Sequence, residues 1–315
     1  MKQTEKINSK VTSITIDDDF AGQRLDNFLF NKLKNVPKTR IYKMLRKGEV
    51  RVNKKRIPPN YRLQANDQIR IPPHWYTSKV LSNAPSKSSI TSLETRILYE
   101  DDGMIVLNKP AKMAVHGGSG INFGVIETMR SARPEQKTLE LVHRLDRDTS
   151  GCLLLAKKRS RLRILHELMR AGKINKRYLV LVKGKWVGGK KNVALSLIKN
   201  QLSSGERMVK VNNEGKEALT SFIPRKIYQD ASLLEATIHT GRTHQIRVHA
   251  AAIGFPVAGD EKYGDKTFNQ LLKQYGLHRL FLHAESLSFM LPDGKKIAIT
   301  AKLDDELEQV LQKLL

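Results

Sequence analysis

The chain has 315 residues, more than one ordinary domain of roughly 100–200 residues holds, and 56 Lys and Arg against 31 Asp and Glu leave a net charge of +25. Forty per cent hydrophobic residues exclude wholesale disorder, and the single cysteine, Cys152, excludes an intrachain disulfide or a cysteine zinc cluster. No apolar run approaches the roughly 18–20 residues of a membrane span, and the opening MKQTEKINSKVTS has no apolar stretch of the kind a secretion signal needs, so a cytoplasmic protein with a polyanionic partner is expected. The charge is concentrated: residues 21–74 carry 14 Lys and Arg against 3 Asp and Glu. In that segment Leu25, Phe28, Leu29 and Leu33 stand at helical spacing, and Pro37 closes the helix. Thr39 is the expected N-cap of a second helix through Lys47, with Ile41, Met44 and Leu45 inward and Gly48 as its stop. Arg40, Lys43 and Lys47 follow i, i+3, i+7 and share its outer face. EVRVN (49–53) alternates as a strand, and a turn at Lys54 and Lys55 and a loop through Pro58 and Pro59 lead to a closing strand at Gln68–Ile71.

The string RLDNFL…TRIYKMLRKGEVRVN…DQIRIP resembles the S4 RNA-binding domain, a fold that lays its two-helix face on structured RNA. The resemblance implies an S4 module over residues 21–75 behind an N-terminal extension (1–20), with RNA as the partner and Arg40, Lys43 and Lys47 as RNA-binding residues. Residues 76–92, YTSKVLSNAPSKSSITS, hold six Ser, two Thr and one Pro with little periodicity and read as a flexible linker. The rest, 93–315, reads as a second domain.

In that domain MIVLN (104–108) is apolar on both faces and reads as a buried strand, followed by the glycine-rich HGGSG (116–120), whose backbone can approach a ligand closely. The segment LVHRLDRDTSGCLLLAKK (141–158) sets a polar cluster of His143, Arg144, Asp146, Arg147, Asp148, Thr149 and Ser150 directly before a buried strand at 151–156. Nearby cations favour an ionised carboxylate, and such a group beside a buried strand is either a nucleophile or base or one member of a structural ion-paired turn. HTGRTHQIRVH (239–249) gathers three His and two Arg. Five-residue spacing turns His239, His244 and His249 by about 500° per step on a helix, so they do not share a face and no metal site is expected. The arginines suit an anion instead. GKWVGGKK (184–191) has Walker A spacing but Lys191 where a hydroxyl must bind magnesium, so nucleotide hydrolysis is excluded as its reading. DDELEQVLQKLL at the end reads as a short amphipathic helix on the core.

HRLDRDTSG (143–151), KINKRYLVLVKG (173–184), GRTHQIRVH (241–249), GFPVAGDEKYG (254–264) and RLFLHAESLSF (279–289) occur in this order and together resemble the RluA family of pseudouridine synthases. With the S4 module in front and the VHGGSG loop, the likeness is to the members that modify 23S ribosomal RNA. It implies an α+β architecture: a small S4-type α/β RNA-binding domain followed by a pseudouridine synthase core on a mixed, largely antiparallel sheet with flanking helices and loops. It also implies a reaction without cofactor or metal, in which the uridine N1–C1′ bond breaks and the base is rejoined through C5. By the same resemblance Asp146 is the essential carboxylate, Tyr178 the active-site aromatic, and Arg247 the cation paired with Asp146, with Arg242 as the alternative partner. Arg144 is the residue that enters the space left by the flipped nucleotide, while His143, Leu145, Thr149 and Asp148 shape the turn and Leu280 and Leu282 lie beneath it. The implied partner is 23S ribosomal RNA or a pre-ribosomal particle, met by a monomer. A non-catalytic S4-type ribosome-assembly factor and an RNA hydrolase are the competing readings.

Overall fold

The computed structural model describes residues 6–8, 11–33, 36–73, 75–77, 84–118, 123–201 and 207–315. It divides into two compact units, residues 1–84 and 85–315.

In the first unit, strand β1 (Lys6–Asn8) pairs antiparallel with β5 (Trp75–Thr77), and β2 (Thr12–Thr15), β3 (Arg51–Val52) and β4 (Gln68–Ile71) form a three-stranded sheet in the order β2-β4-β3. Two helices, α1 (Leu25–Lys32) and α2 (Lys38–Lys47), supply Leu25, Phe28, Leu29, Ile41, Met44 and Leu45 to a core shared with Ile16, Val52, Ile69 and Ile71. Two expectations are corrected. Residues 12–16 are not outside the module, because β2 zips to β4 and Ile16 is buried; a four-residue strand with one inward residue is too short to show its alternation. Helix α2 starts two residues earlier than a Thr39 cap requires: Pro37 takes the N-cap position, where its fixed backbone needs no donor. Gly48 does end α2, at a left-handed φ of 67°.

The second unit begins with helix α3 (Lys87–Glu94), where a flexible linker is expected from composition. The Ser86 hydroxyl accepts the Ser89 N–H as a cap, Leu93 is buried in the core, and Glu94 pairs with Arg133 at 2.8 Å. The serines thus start and coat a helix rather than loosen a tether. Residues 78–83 of the expected linker lie outside the described residues.

The elements then run β6 (Ile97–Glu100), β7 (Met104–Lys109), α4 (Val125–Ala132), β8 (Glu140–Leu141), β9 (Ser150–Ala156), α5 (Arg159–Arg170) and β10 (Asn175–Lys183). After them come β11 (Lys191–Ala194), β12 (Leu197–Gln201), β13 (Arg207–Val211), β14 (Leu219–Ile227), β15 (Ala231–Ile238), α6 (Gln245–Ala252), α7 (Lys266–Gln274), β16 (Leu282–Met290), β17 (Lys296–Thr300) and α8 (Asp305–Lys313). Ten strands form one sheet in the order β11-β14-β15-β10-β16-β9-β7-β6, with β17 on β16 and β8 on β9, while β12 and β13 make a separate hairpin. Every pairing in the large sheet is antiparallel except β16 with β9. The architecture is α+β on a mixed, largely antiparallel sheet.

The parallel seam has a local requirement. His283 and Ala284 lie opposite Ser150 and Gly151, and a Cβ on Gly151, at φ 104°, would stand 2.3 Å from the Ala284 carbonyl oxygen. Only glycine lets the two backbones approach so closely there. Strand β9 is buried along its whole length, as its unbroken apolar sequence requires. Helix α8 caps the unit with Leu307 and Val310 buried against Leu181, Phe268, Leu272 and Phe281.

Candidate active site

The turn between β8 and β9 carries Asp146 to the wall of a cavity of about 1100 Å³. The cavity is lined by that turn, by Lys176 and Tyr178 of β10, by Thr243–Arg247 around the start of α6, and by Leu282 of β16. The turn closes on itself through the Thr149 N–H, which donates to the Asp146 carbonyl at 3.2 Å. His143 Nε2 accepts the Leu154 N–H at 3.1 Å, and burial pushes its pKa down to about 4, so the ring is a neutral strut. Ser150 Oγ, at the start of β9, meets His283 Nδ1 at 2.8 Å and accepts from Arg279 Nη2 at 2.5 Å.

A fully buried lysine anchors the turn from below. Lys109 Nζ donates to the carbonyls of Pro110 and Met113, each at 2.8 Å, and of Arg147 at 3.0 Å. Burial, with Arg279 adding to it, pushes its pKa down to about 7, while three carbonyl acceptors match the three N–H donors of the charged form.

Arg247 is the partner of Asp146: its Nη1 lies 3.3 Å from Asp146 Oδ2. Arg242 turns elsewhere, donating from Nε to the Glu217 carbonyl at 3.1 Å. Arg247 is itself held by Asp260 in a bidentate pair, with Nε to Oδ2 and Nη2 to Oδ1 both at 2.7 Å. Asp260 is buried, and its Oδ1 also accepts the N–H groups of Lys262 and Tyr263. Burial works against both charges. It is outweighed at Arg247 by Asp260 and Asp146, which raise the pKa, and at Asp260 by Arg247 and the two N–H donors, which hold the carboxyl below its usual range. The preceding Gly259 is obligatory, since a Cβ there, at φ 70°, would stand 1.9 Å from the Arg279 carbonyl oxygen. His244, at a left-handed φ of 54°, brings Nε2 to 3.8 Å from Asp146 Oδ2 and bonds the Tyr263 hydroxyl through Nδ1 at 2.8 Å.

Tyr178 is buried against the cavity. Burial first, and the Asp146 charge second, push its phenol above the ordinary value, so it stays protonated. Arg144 is exposed and lines the cavity, while Arg147 and Asp148 pair with each other at 3.2 Å. In the first unit, Lys43 and Lys47 are exposed on α2, whereas Arg40 is tied to Glu49 at 2.8 Å. The other two histidines of HTGRTHQIRVH serve the scaffold: His239 Nε2 meets Ser221 Oγ at 3.0 Å and His249 Nε2 the Leu195 carbonyl at 2.9 Å. Among the described residues no three His, Cys, Asp or Glu side chains gather as metal ligands, and no helix is long and apolar enough to cross a membrane. Of the HGGSG loop, His116 lines the cavity and the Gly117 N–H donates to Glu127 at 2.9 Å; Ser119 and Gly120 lie outside the described residues. From sequence alone Lys109, Lys176 and Asp260 have no visible role. Asp260 offers only one hint, an acid placed directly after the apolar run PVAG.

A carboxylate gripped by a buried guanidinium, beside a protonated phenol in a large cavity edged with cations, is a site for a polyanion whose reacting unit enters the protein. The comparisons with known proteins give that class its family. The signature of RNA pseudouridylate synthases matches residues 103–252, and that of the S4 domain residues 23–69. Ribosomal large subunit pseudouridine synthase C of Haemophilus influenzae is 54% identical over 318 residues, covering 99% of this chain and 98% of its own. The protein of that name from Pasteurella multocida is 53% identical over 316 residues, covering 99% and 97%. Human RNA Pseudouridylate Synthase Domain Containing 4 shares the fold, with a TM-score of 0.60 at 24% identity over 72% of this chain and 95% of its own. The chain belongs to the RluA family of pseudouridine synthases, enzymes that isomerise uridine in RNA, and carries an S4 domain ahead of the catalytic core.

Proposed function

We propose that this synthase converts particular uridines of large-subunit (23S) ribosomal RNA to pseudouridine, in the free RNA or in a pre-ribosomal particle, as a cytoplasmic monomer without a cofactor. The names of relatives 54% and 53% identical over nearly the whole chain support that substrate. The observation that carries the site is the 3.3 Å contact of Arg247 with Asp146 inside a cavity that Tyr178 also lines. Asp146 acts on the sugar of the extruded nucleotide, and Arg247 keeps its carboxylate aimed. Tyr178 offers its ring to the freed base. Arg144, exposed at the cavity, stacks its guanidinium where the target base stood and offsets part of the roughly few kcal/mol that flipping costs. Lys43 and Lys47 bind RNA phosphates, with Arg40 held beside them by Glu49.

The test is to incubate the protein with unmodified 23S rRNA transcript and map pseudouridine chemically. New pseudouridine at discrete positions is expected, and its absence from every such transcript rejects the reading. Asp146→Asn should keep RNA affinity and lose turnover by on the order of 10²–10⁴-fold or more. Activity near that of the unmodified protein removes Asp146 from the central role.

A further inference from the structure

Lys176 is a buried cation of this cavity that no described scaffold group bonds. It stands two residues before Tyr178 on β10, where burial alternates, so both side chains leave the sheet on one face and line the same cavity. It is only 9% exposed, and among the described residues no carboxylate, carbonyl or hydroxyl bonds its ammonium. The other buried lysine, Lys109, shows what a structural role looks like: three carbonyls close around it. Burial lowers the pKa of Lys176 with no acid to offset it, and the nearby His143 ring is neutral. A charge left almost buried and unpaired is costly, and a fold keeps one where a ligand completes it.

The ligand group follows from position. Residues two apart on a strand are separated by about 6.6 Å. Asp146 lies within ion-pair distance of Arg247 and His244, and Lys176 is in no ion pair among the described residues, so Lys176 marks an end of the cavity wall apart from the carboxylate. A uridine with its sugar at Asp146 and its base along Tyr178 extends its carbonyl edge toward that end. We propose that Lys176 is a catalytic and specificity-determining residue that donates to the O4 carbonyl edge of the flipped uracil and carries the charge of the detached base. The inference rests on the reading of this cavity as the uridine site.

The electron count shows why a cation belongs there. When the C1′–N1 bond breaks, its electron pair leaves with the base, whose negative charge spreads over N1, O2 and O4. C5 then forms the new bond to C1′, the C5 proton departs and N1 takes one up, so atoms and electrons balance. A donor at O4 is worth most while the base is detached and charged, so it lowers the barrier more than it aids binding. Cytosine would bring an amino group to the same point, donor against donor, and is rejected.

The test is Lys176→Met, near in shape and without charge, assayed on a 23S rRNA transcript that the unmodified protein modifies. Should the unmodified protein form no pseudouridine, the proposed function fails before this inference is reached. The expected result is a fall in kcat on the order of 10²-fold with KM nearly unchanged. Thermal stability should rise, by ~2 °C or more, because an unpaired buried charge is removed. Lys176→Arg should recover part of kcat. In the Asp146→Asn background, preference for transcript with uridine over cytidine at the modified position should vanish when Lys176→Met is added. A raised KM with normal kcat and a shallower salt dependence would make Lys176 a phosphate contact and overturn the inference. So would unchanged kinetics, or a loss of activity that tracks a fall in melting temperature.

Discussion

Arg247 touches Asp146 through one nitrogen and Asp260 through two, so the residue that fixes the site's geometry is the buried acid at the back rather than the one facing the cavity. Asp260→Asn replaces an oxygen with an N–H2 facing donors from Arg247, Lys262 and Tyr263, and leaves the guanidinium buried without its counter-charge. Denaturant unfolding should show a loss of about 3 kcal/mol, and turnover should fall with it. A variant as stable as the unmodified protein would show that the pair does not hold the site. The pH dependence has a definite sign. The folded Asp260 carboxyl sits below its unfolded value of about 3.9, so its stabilising contribution is complete above that pH and lost as pH falls through the folded value. Melting temperature against pH should therefore fall less steeply below about pH 4 in Asp260→Asn than in the unmodified protein. At this scale the sequence was partly legible. Asp146, Tyr178 and Arg247 stand in dense motifs, and the cavity brings all three together. Asp260 and Lys109 were not visible, because their partners are side chains and carbonyls set by tertiary packing, such as the Arg147 carbonyl 38 residues from Lys109.

At the scale of elements, the turn before β9 is a suspended structure: Lys109 at the end of β7 holds its Arg147 carbonyl, and Arg279 holds Ser150 at its far end. Lys109→Met removes one buried charge but strands three carbonyls, each an acceptor without a replacement donor. The net effect should be a loss of about 1–3 kcal/mol by thermal or denaturant unfolding, with activity falling because Asp146 is no longer fixed. This is the opposite stability sign to that expected for Lys176→Met, although both changes delete a buried lysine of the same unit. A melting temperature unchanged or raised in Lys109→Met would show that the carbonyl cage does not support the turn. Elements with strong apolar patterns were legible: α1, the burial of β9, and α8. Helix α3 was hidden because only Leu93 of its eight residues is buried, too little for periodicity to register against a run of serines. Strand β2 was hidden for the same reason, its sense coming from hydrogen bonds to β4 rather than from side-chain alternation.

At the scale of the molecule, the proposed function gives affinity to the first unit and chemistry to the second, and salt is the means of separating them. Phosphate contacts release counterions, so each one lost should reduce the slope of log affinity against log salt by about 0.7–0.9. The exposed Lys43 and Lys47 lie on the outer face of α2, near a helix C-terminus that adds no positive field of its own. In the proposed function their contribution to RNA binding is thus carried by the side chains alone. Lys43→Ala combined with Lys47→Ala should lower the slope by about 1.5 and weaken binding to 23S rRNA transcript, while kcat at saturating RNA stays as it was. Cutting between residues 84 and 85, the boundary of the two units, should flatten the slope further and leave residues 85–315 folded around their own core. Arg40→Ala should change the slope less than either lysine, because its guanidinium is already engaged with Glu49. A double lysine variant with an undiminished slope would move the RNA anchor off α2. A large fall in its kcat would mean that the first unit takes part in the chemistry as well as in holding the RNA.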